Sequence, residues 1–338
     1  MVDEQWPLVS IVFLAYNRRE QLAHSLERVL GHLDYPGERL EVIVVDNAST
    51  DGTAAMVSER FPGVLVIRSP QNIGASAWNA GMTTAAGRWR MILDDDCFID
   101  GDALKRAVSG AEEHRADLVS FRVESGAQPG YWFNDRYPTG LLSFWGCSAM
   151  FSARAIESEP FYDPNIFIWA NETELTMRWL DRGFRHLHLP EVTSVHMKGP
   201  YAALDERGFR LNTRHFAYIA AKLMRPADAV VALANLALHV VAAAVAGDTG
   251  RLRALGEIPR GLVDGLRVRA PVRREVSRVY RRHFWHFASP FTQVRSPLQR
   301  LRSRGAPDRP QAAGMRQDAG WFARRRRYYP VSSGVLEL

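Results

Sequence analysis

Apolar and polar positions alternate in blocks along the first hundred residues, and each block has the length of one secondary-structure element. Near-continuous apolar runs rich in β-branched residues are typical of strands buried on both faces, whereas apolar residues three and four positions apart indicate helices. This pattern predicts strands at residues 8–15, 40–46, 64–68 and 88–93, separated by helices at 19–33, 52–61 and 75–86. Strands that alternate with helices of this length predict βαβ units, and hence an α/β fold with a mostly parallel central sheet flanked by helices.

The pattern changes after Asp102, where a helix to about residue 115 and a strand at 118–123 precede a stretch rich in Gly, Pro and aromatic residues. A further helical period at 172–182 ends at Gly183, and from Arg214 onward the chain is helical in pattern. Breaks in that helical region are predicted at three prolines, Pro226, Pro259 and Pro271, and the segments after about 295 are irregular in pattern. We therefore predict three parts, an α/β domain at 1–212, a helical extension at 213–290 and an Arg-rich tail at 291–338.

The longest apolar stretch, residues 229–247, raises the question of a membrane span. A spanning helix needs about 20 strongly apolar residues. Nearly half of this stretch is alanine, which contributes little to insertion, and it contains Asn235 and His239. The sequence therefore predicts a buried or peripheral helix rather than a transmembrane one.

Polar side chains follow three of the predicted strands at the point where each strand ends. These are Ala15-Tyr16-Asn17 after the first strand, Asp46-Asn47 after the second and Asp94-Asp95-Asp96 after the fourth. The carboxyl ends of parallel strands meet at one edge of a sheet, where ligands of open α/β sheets bind. Three polar clusters in one βα series therefore predict a ligand site at this edge.

The acidic run at 94–96 is the most specific of these clusters, because consecutive carboxylates repel one another unless a cation offsets their charge. Successive residues of an extended chain face opposite ways, so Asp94 and Asp96 are expected to share a face that Asp95 does not. Such a DxD arrangement suits a Mg²⁺ or Mn²⁺ ion that carries phosphate oxygens. The alternative interpretation is a solvated acidic turn.

Several segments, in this order and spacing, resemble the inverting glycosyltransferases of family two, which have the Rossmann-like GT-A fold and use nucleotide-sugar donors. They are VSIVFLAYN at 9–17, VVDNASTDG at 44–52, NIGASAWNAG at 72–81 and LDDD at 93–96. The segment FIWANETELTMRWLDRGF at 167–184 resembles the acidic-pair block of that family, and His196 before Gly199 resembles its metal-site histidine. The resemblance covers residues 8–200, and the helical region to about 284 more loosely resembles rhamnosyltransferase-like members.

The resemblance implies a role for each of these side chains. Ala15, Tyr16 and Asn17 would line the nucleobase and ribose pocket, and Asp46 would accept a hydrogen bond from a base N–H. Asp94 would contact the ribose or the metal, and Asp96 and His196 would bind a Mg²⁺ or Mn²⁺ ion that neutralises the leaving diphosphate. The nucleotide-binding set implied by the resemblance also includes Asn72 and Asp95.

The expected catalytic base is the one departure from the family pattern. The family usually has an Asp in the acidic pair, whereas here Asn171 replaces the first acid and Glu172 takes the second position, with Glu174 two residues later. A Glu can abstract a proton from an acceptor hydroxyl if it reaches hydrogen-bonding distance. We expect Glu172 to be the base and keep Glu174 as the second choice. A structural role for Glu172 at the start of a helix is the alternative.

Charge divides the chain into an acidic body and a basic tail. The net charge is +6, yet residues 251–338 contain twenty arginines and six carboxylates, a balance of +14, so the first 250 residues carry −8. A basic tail beside an apolar helix predicts peripheral contact with an anionic membrane surface. The alternatives are a homodimer formed through the extension, or pairing of the arginines with the acidic domain.

Two cysteines and an acidic N-terminus that runs straight into a strand favour a reducing, cytosolic compartment, with peripheral placement at the inner face of the membrane. The partners expected are a UDP- or dTDP-linked sugar donor and an acceptor hydroxyl on a glycan, a lipid-linked saccharide or a secondary metabolite. Two other functions fit parts of the pattern. One is a nucleotidyltransferase, whose Gly-rich basic loop is not seen here, and the other is a nucleic-acid or anionic-surface binding module with an inactive domain. No zinc-finger or RNA-binding signature accompanies the arginines, so nucleic acid is not the expected partner.

Overall fold

The computed structural model describes residues 6–136, 140–199, 204–245, 249–288 and 334–336. The chain divides into two compact units. The first comprises Met1–Pro200 with Pro330–Glu337, and the second comprises Tyr201–Tyr329 with Leu338. The predicted boundary at residue 212 falls inside a helix of the second unit, Glu206–Leu223. That helix begins earlier than the pattern indicated because the Asp205 carboxylate accepts a hydrogen bond from the Gly208 amide, 2.7 Å away, and so caps it.

The first unit is built on a nine-stranded sheet. Its strands are β1 (Val9–Ala15), β2 (Leu40–Asp46), β3 (Leu65–Arg68), β4 (Trp89–Asp94), β5 (Cys97–Phe98), β6 (Leu118–Ser125), β7 (Ser148–Ser152), β8 (His186–His196) and β9 (Gly334–Leu336). Their order is β3-β2-β1-β4-β7-β6-β8-β5, with β9 paired to β8.

The first four strands form the parallel half that the pattern predicted. β1 pairs in parallel with β2 and β4, and β2 pairs in parallel with β3. Beyond β4 the sheet is mixed, because β7 runs antiparallel to both β4 and β6. The mostly parallel sheet expected from the sequence is therefore right for the half formed by β1 to β4 and incomplete for the rest.

Helices flank this sheet at α1 (Arg19–His32), α2 (Thr53–Arg60), α3 (Trp78–Thr84), α4 (Ala103–Glu113), α5 (Phe133–Arg136), α6 (Ala153–Ser158) and α7 (Asn171–Asp181). Short 3₁₀ turns at Gly37–Arg39 and Gly74–Ala77 precede β2 and α3. A buried core joins β1, β2 and β4 to α3 and α7, and it includes Val12, Ile43, Met82, Ile92 and Trp179. Packing on this core fixes the start of α7 relative to the carboxyl ends of the strands, where the polar residues lie.

The second unit is helical, as predicted for the extension. Its helices are α8 (Glu206–Leu223), α9 (Pro226–Val245), α10 (Glu257–Arg267) and α11 (Arg274–Ala288), with a 3₁₀ segment at Thr249–Gly256. Two of the three prolines lie in first turns, Pro226 at the start of α9 and Pro259 in α10, where a missing N–H costs no intrahelical bond. Pro271 separates α10 from α11 as predicted.

Glycines allow α10 to approach α8 closely. A Cβ on Gly265 would overlap the Tyr218 carbonyl oxygen and lie 2.8 Å from the Ala221 Cβ, and Gly261 stands in the same relation to the preceding turn of α8. Two small residues one turn apart therefore form the contact surface of α10, which leaves its larger apolar side chains on other faces. Val263 and Leu266 are both exposed.

Helix α9 corresponds to the apolar stretch identified in the sequence. Within the described residues it is the one helix long and apolar enough to cross a membrane by length and composition, with a mean hydropathy of 1.9 over its best window. Of that window, 44 % is buried inside the structure. Its buried face includes Ala232, Leu236 and Val240, so the helix has one side packed in the second unit and one side open.

The tail departs from expectation at one point. Residues after about 295 were predicted to be irregular, yet Gly334–Leu336 forms β9, which runs antiparallel to β8 with Leu336 opposite His186. The edge of β8 offers unpaired backbone groups, and a short strand can satisfy them with little sequence signal. The other residues of the predicted tail, 291–333 and 337–338, lie outside the described residues.

Candidate active site

The three polar clusters found in the sequence lie side by side. In the parallel register Ala15 pairs with Asp46, and Leu14 pairs with Asp94. The carboxyl ends of β1, β2 and β4 therefore meet at one edge of the sheet, as predicted. The loops that follow these strands provide the Tyr16-Asn17, Asn47 and Asp95-Asp96 side chains of the candidate site.

Asp46, at the end of β2, has one carboxylate oxygen that accepts a hydrogen bond and one that accepts none from the described residues. Oδ1 accepts a hydrogen bond from the Ser49 amide at 3.1 Å. Oδ2 is buried and accepts no hydrogen bond from the described residues, and the closest cation, Arg68, lies 3.8 Å away at its Nε. A buried oxygen without a hydrogen bond costs free energy until a ligand N–H fills the place. This geometry fits the predicted contact with a base N–H.

The residues after β1 connect the first two strand ends. Asn17 has a left-handed backbone with φ of 52°, and its side-chain oxygen accepts a hydrogen bond from the Thr50 amide at 2.7 Å. Its own amide donates to Ser49 Oγ at 2.9 Å. Tyr16 is 45 % exposed, so its ring is available at the rim, while Ala15 is buried within the strand. Asn17 therefore holds the loop after β1 against the loop after β2. Tyr16 provides an exposed aromatic ring at the rim of the candidate site.

Asn72 holds the loop after β3 against the end of β2. Its side-chain oxygen accepts hydrogen bonds from Asn47 Nδ2 at 3.0 Å and from the Gly74 amide at 2.9 Å. Gly74 has φ of +67°, and a Cβ there would overlap the Phe167 carbonyl, which accepts a hydrogen bond from Ala75 at 2.7 Å. The loop therefore packs on the segment that leads into α7. The predicted contact of Asn72 with the nucleotide stays a prediction.

Asp94, Asp96 and His196 form the cluster that could hold a metal ion. One ligand atom from each lies within 4.8 Å of the other two. His196 Nε2 is 3.0 Å from Asp96 Oδ1 and 3.9 Å from Asp94 Oδ2. The pairing of β5 with β8 sets Cys97 opposite His196, which brings the histidine beside the acidic run. Two carboxylates and an imidazole are suitable donors for Mn²⁺, and the carboxylates also suit Mg²⁺.

The electrostatics of the cluster keep Asp96 ionised. Burial alone would raise its pKa, but the hydrogen bond with His196 and the charges of Lys198 and Arg18 hold the pKa of Asp96 well below its ordinary value. Asp94 differs, because burial and the neighbouring Asp96 raise its pKa in spite of His196 and Lys198. A metal ion would favour the ionised form of both carboxylates.

Asp95 is not part of this cluster, although it shares Arg18 with Asp96. Its Oδ2 accepts a hydrogen bond from the Tyr16 amide at 3.3 Å, and its Oδ1 lies 3.3 Å from the Arg18 guanidinium. Burial, followed by the charges of Asp94 and Asp96, raises the pKa of Asp95 to about 7, although Arg18 opposes that rise. Asp95 therefore ties the loop after β1 to the acidic run.

Two cations that the sequence analysis did not assign contact the acidic run. Arg18 forms an ion pair with Asp96 Oδ2 in addition to its contact with Asp95. Lys198 Nζ lies 3.5 Å from the same Asp96 oxygen. The sequence indicated these two residues only by their positions. Arg18 directly follows Tyr16-Asn17, and Lys198 comes two residues after His196.

Glu172 lies in the first turn of α7, close enough to the acidic run to sense its charge. Burial is the main cause that raises the pKa of Glu172 to about 7, and the negative charge of Asp94 adds to the rise. The two residues before the helix are left-handed without being glycine, Trp169 with φ of 61° and Ala170 with φ of 66°. Backbone strain of this kind clusters at functional sites. Here the two strained residues directly precede the turn that carries Glu172.

Gly146 provides the space that the Glu172 carboxylate occupies. A Cβ at position 146 would overlap Glu172 Oε1 and would lie 2.9 Å from its Cδ. The sequence analysis missed this glycine, because the requirement arises from a contact between residues far apart in the chain. The Tyr162 hydroxyl, also missed, is buried near the same carboxylate and makes no hydrogen bond within the described residues, and burial with the charge of Glu172 raises its pKa.

Glu174, the second choice for the base, belongs to a buried ion-pair cluster instead. Its Oε1 lies 2.8 Å from Arg178 Nε one turn along α7, and its side chain is fully buried. Arg178 also pairs with Glu159 at 2.9 Å and donates to the carbonyls of Pro160 and Phe161. The structure thus separates the two glutamates, with Glu172 near the acidic run and Glu174 within the packing of the helix.

Aromatic side chains pack beside His196. The Phe133 ring lies 5.7 Å from that of His196 and 5.5 Å from that of Trp145, and it is fully buried. Arg122 stacks over the neighbouring Trp132 with 3.8 Å from its guanidinium carbon to the ring centre. His196 therefore lies between a buried aromatic ring and the Asp96 carboxylate.

The family of this domain is established by comparison with known proteins. Residues 10–168 match the model of glycosyl transferase family 2. Glycosyltransferase AglE of Haloferax volcanii is 28 % identical over an alignment of 221 residues that covers 61 % of this chain and 72 % of that protein. The succinoglycan biosynthesis protein ExoO of Rhizobium meliloti is 35 % identical over 115 residues, covering 33 % of this chain and 32 % of that protein.

Solved structures share the fold. A mannosyltransferase from Pyrobaculum calidifontis, in complex with GDP-Man and Mn²⁺, superposes with a TM-score of 0.55 at 22 % identity, covering 84 % of this chain and 86 % of that one. Residues 1–349 of TarS from S. aureus, in complex with UDP-GlcNAc, give a TM-score of 0.55 at 17 % identity, covering 84 % and 89 %. The motifs at the strand ends, the family match and this fold together make the N-terminal domain of this chain a GT-A glycosyltransferase of family 2.

Proposed function

We propose that this protein transfers a sugar from a UDP- or dTDP-linked donor to an acceptor hydroxyl with inversion at the anomeric carbon and with the help of a divalent metal ion. The observation that carries the proposal is the position of Glu172, a carboxylate with a pKa raised to about 7, beside the Asp94–Asp96–His196 cluster. A proton acceptor that titrates near neutral pH next to a cation site is suited to hydroxyl activation.

Asp94, Asp96 and His196 would hold Mg²⁺ or Mn²⁺. The donor set and the ionised state of Asp96 fit such an ion. When bound, the metal ion neutralises the charge that develops on the departing nucleoside diphosphate. The complex of the mannosyltransferase neighbour with GDP-Man and Mn²⁺ supports the choice of cofactor.

Glu172 would accept the proton of the acceptor hydroxyl at a carboxylate oxygen. The hydroxyl oxygen then forms its bond to the anomeric carbon from the face opposite the diphosphate, while the bond from that carbon to the phosphate oxygen breaks and the diphosphate leaves with the electron pair. A single displacement of this kind inverts the anomeric centre. Glu174 is not suited to this role because its carboxylate is committed to Arg178.

The nucleotide end of the donor would lie over the ends of β1 and β2. Asp46 Oδ2, buried without a hydrogen bond, would accept the ring N–H that uracil and thymine both carry. Tyr16 would cover the base or ribose from the rim, with Ala15 and Asn17 shaping the wall, and Asn72 and Asp95 would line the remainder. The complex of TarS with UDP-GlcNAc supports a nucleotide-sugar donor.

The second unit would bring the enzyme to an acceptor at the inner face of a membrane. Helix α9 has an open face of apolar side chains, and Val230, Leu238 and Val245 are 67 %, 62 % and 69 % exposed. Arginines on the same unit, among them Arg253, Arg260 and Arg267, would attract anionic headgroups. We therefore propose a lipid-linked saccharide as the first acceptor class to test, with soluble glycans and secondary metabolites as the others.

A donor screen tests the proposed reaction. The protein is incubated with Mn²⁺ and UDP-, dTDP- or GDP-linked sugars, and mass spectrometry measures released nucleoside diphosphate and transferred sugar. We expect turnover with a UDP- or dTDP-linked donor, together with a rise in melting temperature on adding the matching diphosphate, because a ligand that binds only the folded state stabilises it. Nucleotidyl transfer, which releases pyrophosphate instead, would contradict the proposal.

A further inference from the structure

We propose that Arg18 competes with the metal ion for Asp96 and, once the donor is present, moves to the diphosphate. Arg18 would thus couple metal binding to nucleotide binding. The inference rests on the proposed metal-dependent function and concerns a residue to which that function gives no role. It is carried by the contacts of one side chain with the carboxylate that is also a metal ligand.

Both oxygens of Asp96 have partners among the side chains of the protein. Oδ1 lies 3.0 Å from His196 Nε2. Oδ2 contacts the Arg18 guanidinium and lies 3.5 Å from Lys198 Nζ. A divalent ion that binds Asp96 together with Asp94 would therefore share this carboxylate with two cationic side chains, and like charges at such distances repel.

Arg18 makes the closest cationic contact with the Asp96 oxygen Oδ2. Its side chain is 36 % exposed, and that of Lys198, which lies 3.5 Å from the same oxygen, is 39 % exposed. His196 is fully buried and contacts the other oxygen, Oδ1. The Arg18–Asp96 pair is thus the contact that a metal ion at Oδ2 would disturb most.

The released guanidinium has a natural second partner in the donor. Arg18 follows Tyr16 and Asn17, the residues that rim the proposed nucleotide pocket, and it borders the acidic run where the metal-bound diphosphate would lie. Guanidinium groups bind phosphate oxygens bidentately and with higher geometric specificity than ammonium groups do. In the full complex Arg18 would exchange a carboxylate for a phosphate, so its positive charge would help the metal ion rather than oppose it.

This exchange has a thermodynamic consequence that can be measured. With the metal ion alone, Arg18 loses its contact with Asp96 and keeps only the one with Asp95, so metal binding is weakened. With the nucleoside diphosphate present, Arg18 gains a phosphate partner, so metal binding tightens. Linkage requires that the metal ion tighten nucleotide binding by the same factor. Arg18 would therefore favour the loaded site over one that holds only the metal.

The test is Mn²⁺ affinity, measured by electron paramagnetic resonance of free Mn²⁺, with and without UDP, and with dTDP and GDP in parallel. For Arg18→Gln we expect Mn²⁺ alone to bind about 10-fold more tightly than it binds the wild type, and the further gain on adding the diphosphate to shrink. Arg18→Lys keeps the positive charge but loses the two-pronged guanidinium, so its Mn²⁺ affinity should lie between those of the wild type and Arg18→Gln. The matched control is Arg60→Gln, which removes an exposed guanidinium that pairs with Glu27, and it should behave as the wild type.

The outcomes separate this inference from the proposed function. If Asp96→Asn, with an unchanged melting curve, binds Mn²⁺ as well as the wild type, the proposed metal site itself is wrong. If Asp96→Asn loses Mn²⁺ binding while Arg18→Gln binds Mn²⁺ with wild-type affinity and an undiminished gain from the diphosphate, the metal site stands and the role of Arg18 is overturned.

Discussion

The carboxylate of Glu172 occupies the space that a side chain at position 146 would need. Gly146 precedes β7, Glu172 opens α7, and a Cβ on the glycine would lie 2.9 Å from Cδ and 3.2 Å from Cγ of the glutamate while overlapping its Oε1. The backbone of Gly146 is not in the left-handed region that favours glycine. The need for glycine there comes from the carboxylate alone.

Gly146→Ala should therefore displace the Glu172 carboxylate with little effect on folding, because the group in its way is the end of a flexible side chain. A displacement of about 1 Å at a reacting group lowers the rate by about 10²-fold. We expect that loss in kcat, with Mn²⁺ affinity and melting temperature close to those of the wild type. Gly63→Ala, with open space around the added methyl group, is the control and should keep full activity. An active Gly146→Ala enzyme would count against Glu172 as the base.

Substitution of the two glutamates of α7 should affect different properties, catalysis for Glu172 and folding stability for Glu174. Glu172→Gln is expected to lose about 10²–10⁴-fold in kcat because it removes the proton acceptor. Glu174→Gln should keep most of its activity and lose about 1–3 kcal/mol of stability, because it leaves the buried Arg178 short of one partner. Initial rates and urea unfolding of both variants give the comparison. A catalytic loss confined to Glu174→Gln would transfer the base to that residue.

Glu172 should also leave a mark on the pH dependence of stability. Its folded-state pKa is raised from 4.5 to about 7, so the folded protein holds a proton that the unfolded chain releases between these values. The wild type then loses stability as the pH rises from about 4.5 through 7, by up to about 3 kcal/mol. Glu172→Gln avoids this loss and should be the more stable protein at pH 8, with little difference at pH 4.5. Urea unfolding at both pH values measures it, and an equal difference at both would contradict the assigned pKa.

The same titration should appear in the rate. Glu172 accepts a proton only when ionised, so kcat is expected to rise with pH through about 7 and level off above it. A bound divalent ion near Asp94 would lower the midpoint, because it offsets the Asp94 charge that helps to raise the pKa of Glu172. Because transfer itself needs the ion, the comparison is between the midpoint of kcat at saturating Mn²⁺ and the midpoint of the stability difference between wild type and Glu172→Gln measured without the ion. Equal midpoints would place the ion elsewhere.

The parts of the site that follow strand ends could be predicted from the sequence, because the length and apolar content of β1, β2 and β4 fix where each strand stops. Asp46, Asp94 and Asp96 were identified in this way. The division of labour between Glu172 and Glu174 had a readable signal, since Glu174 and Arg178 are four residues apart on one helix and such pairs interact.

Other features depend on contacts that no local pattern encodes. The need for glycine at position 146 arises from Glu172, 26 positions later in the chain. The contact between Arg18 and Asp96 requires the loop after β1 to meet the turn after β4. The strand at Gly334–Leu336 is three residues long, too short to show a period, and its pairing with β8 depends on the exposed edge of that strand.

Asp96→Ala tests the metal site directly. The variant removes a ligand rather than core packing, so we expect it to fold and to lose both Mn²⁺ binding and sugar transfer. Removal of Mn²⁺ with a chelator should abolish transfer in the wild type, and adding Mn²⁺ back should restore it. Near-normal turnover of Asp96→Ala with a metal ion still required would show that the ion binds elsewhere.

The exposed face of α9 provides the test of membrane contact. We expect the full-length protein to co-sediment with vesicles that contain phosphatidylglycerol at low salt, and less with phosphatidylcholine alone. Binding should fall steeply with added salt because screening shortens the reach of the arginine charges. Leu238→Glu, which places a charge on the open apolar face, should weaken binding at every salt concentration. Leu65→Glu, at an exposed leucine on β3, is the matched control and should bind vesicles as the wild type does. If the wild type stays in the supernatant at low salt, this face does not bind membranes, and sedimentation velocity would then decide whether it joins two copies of the chain.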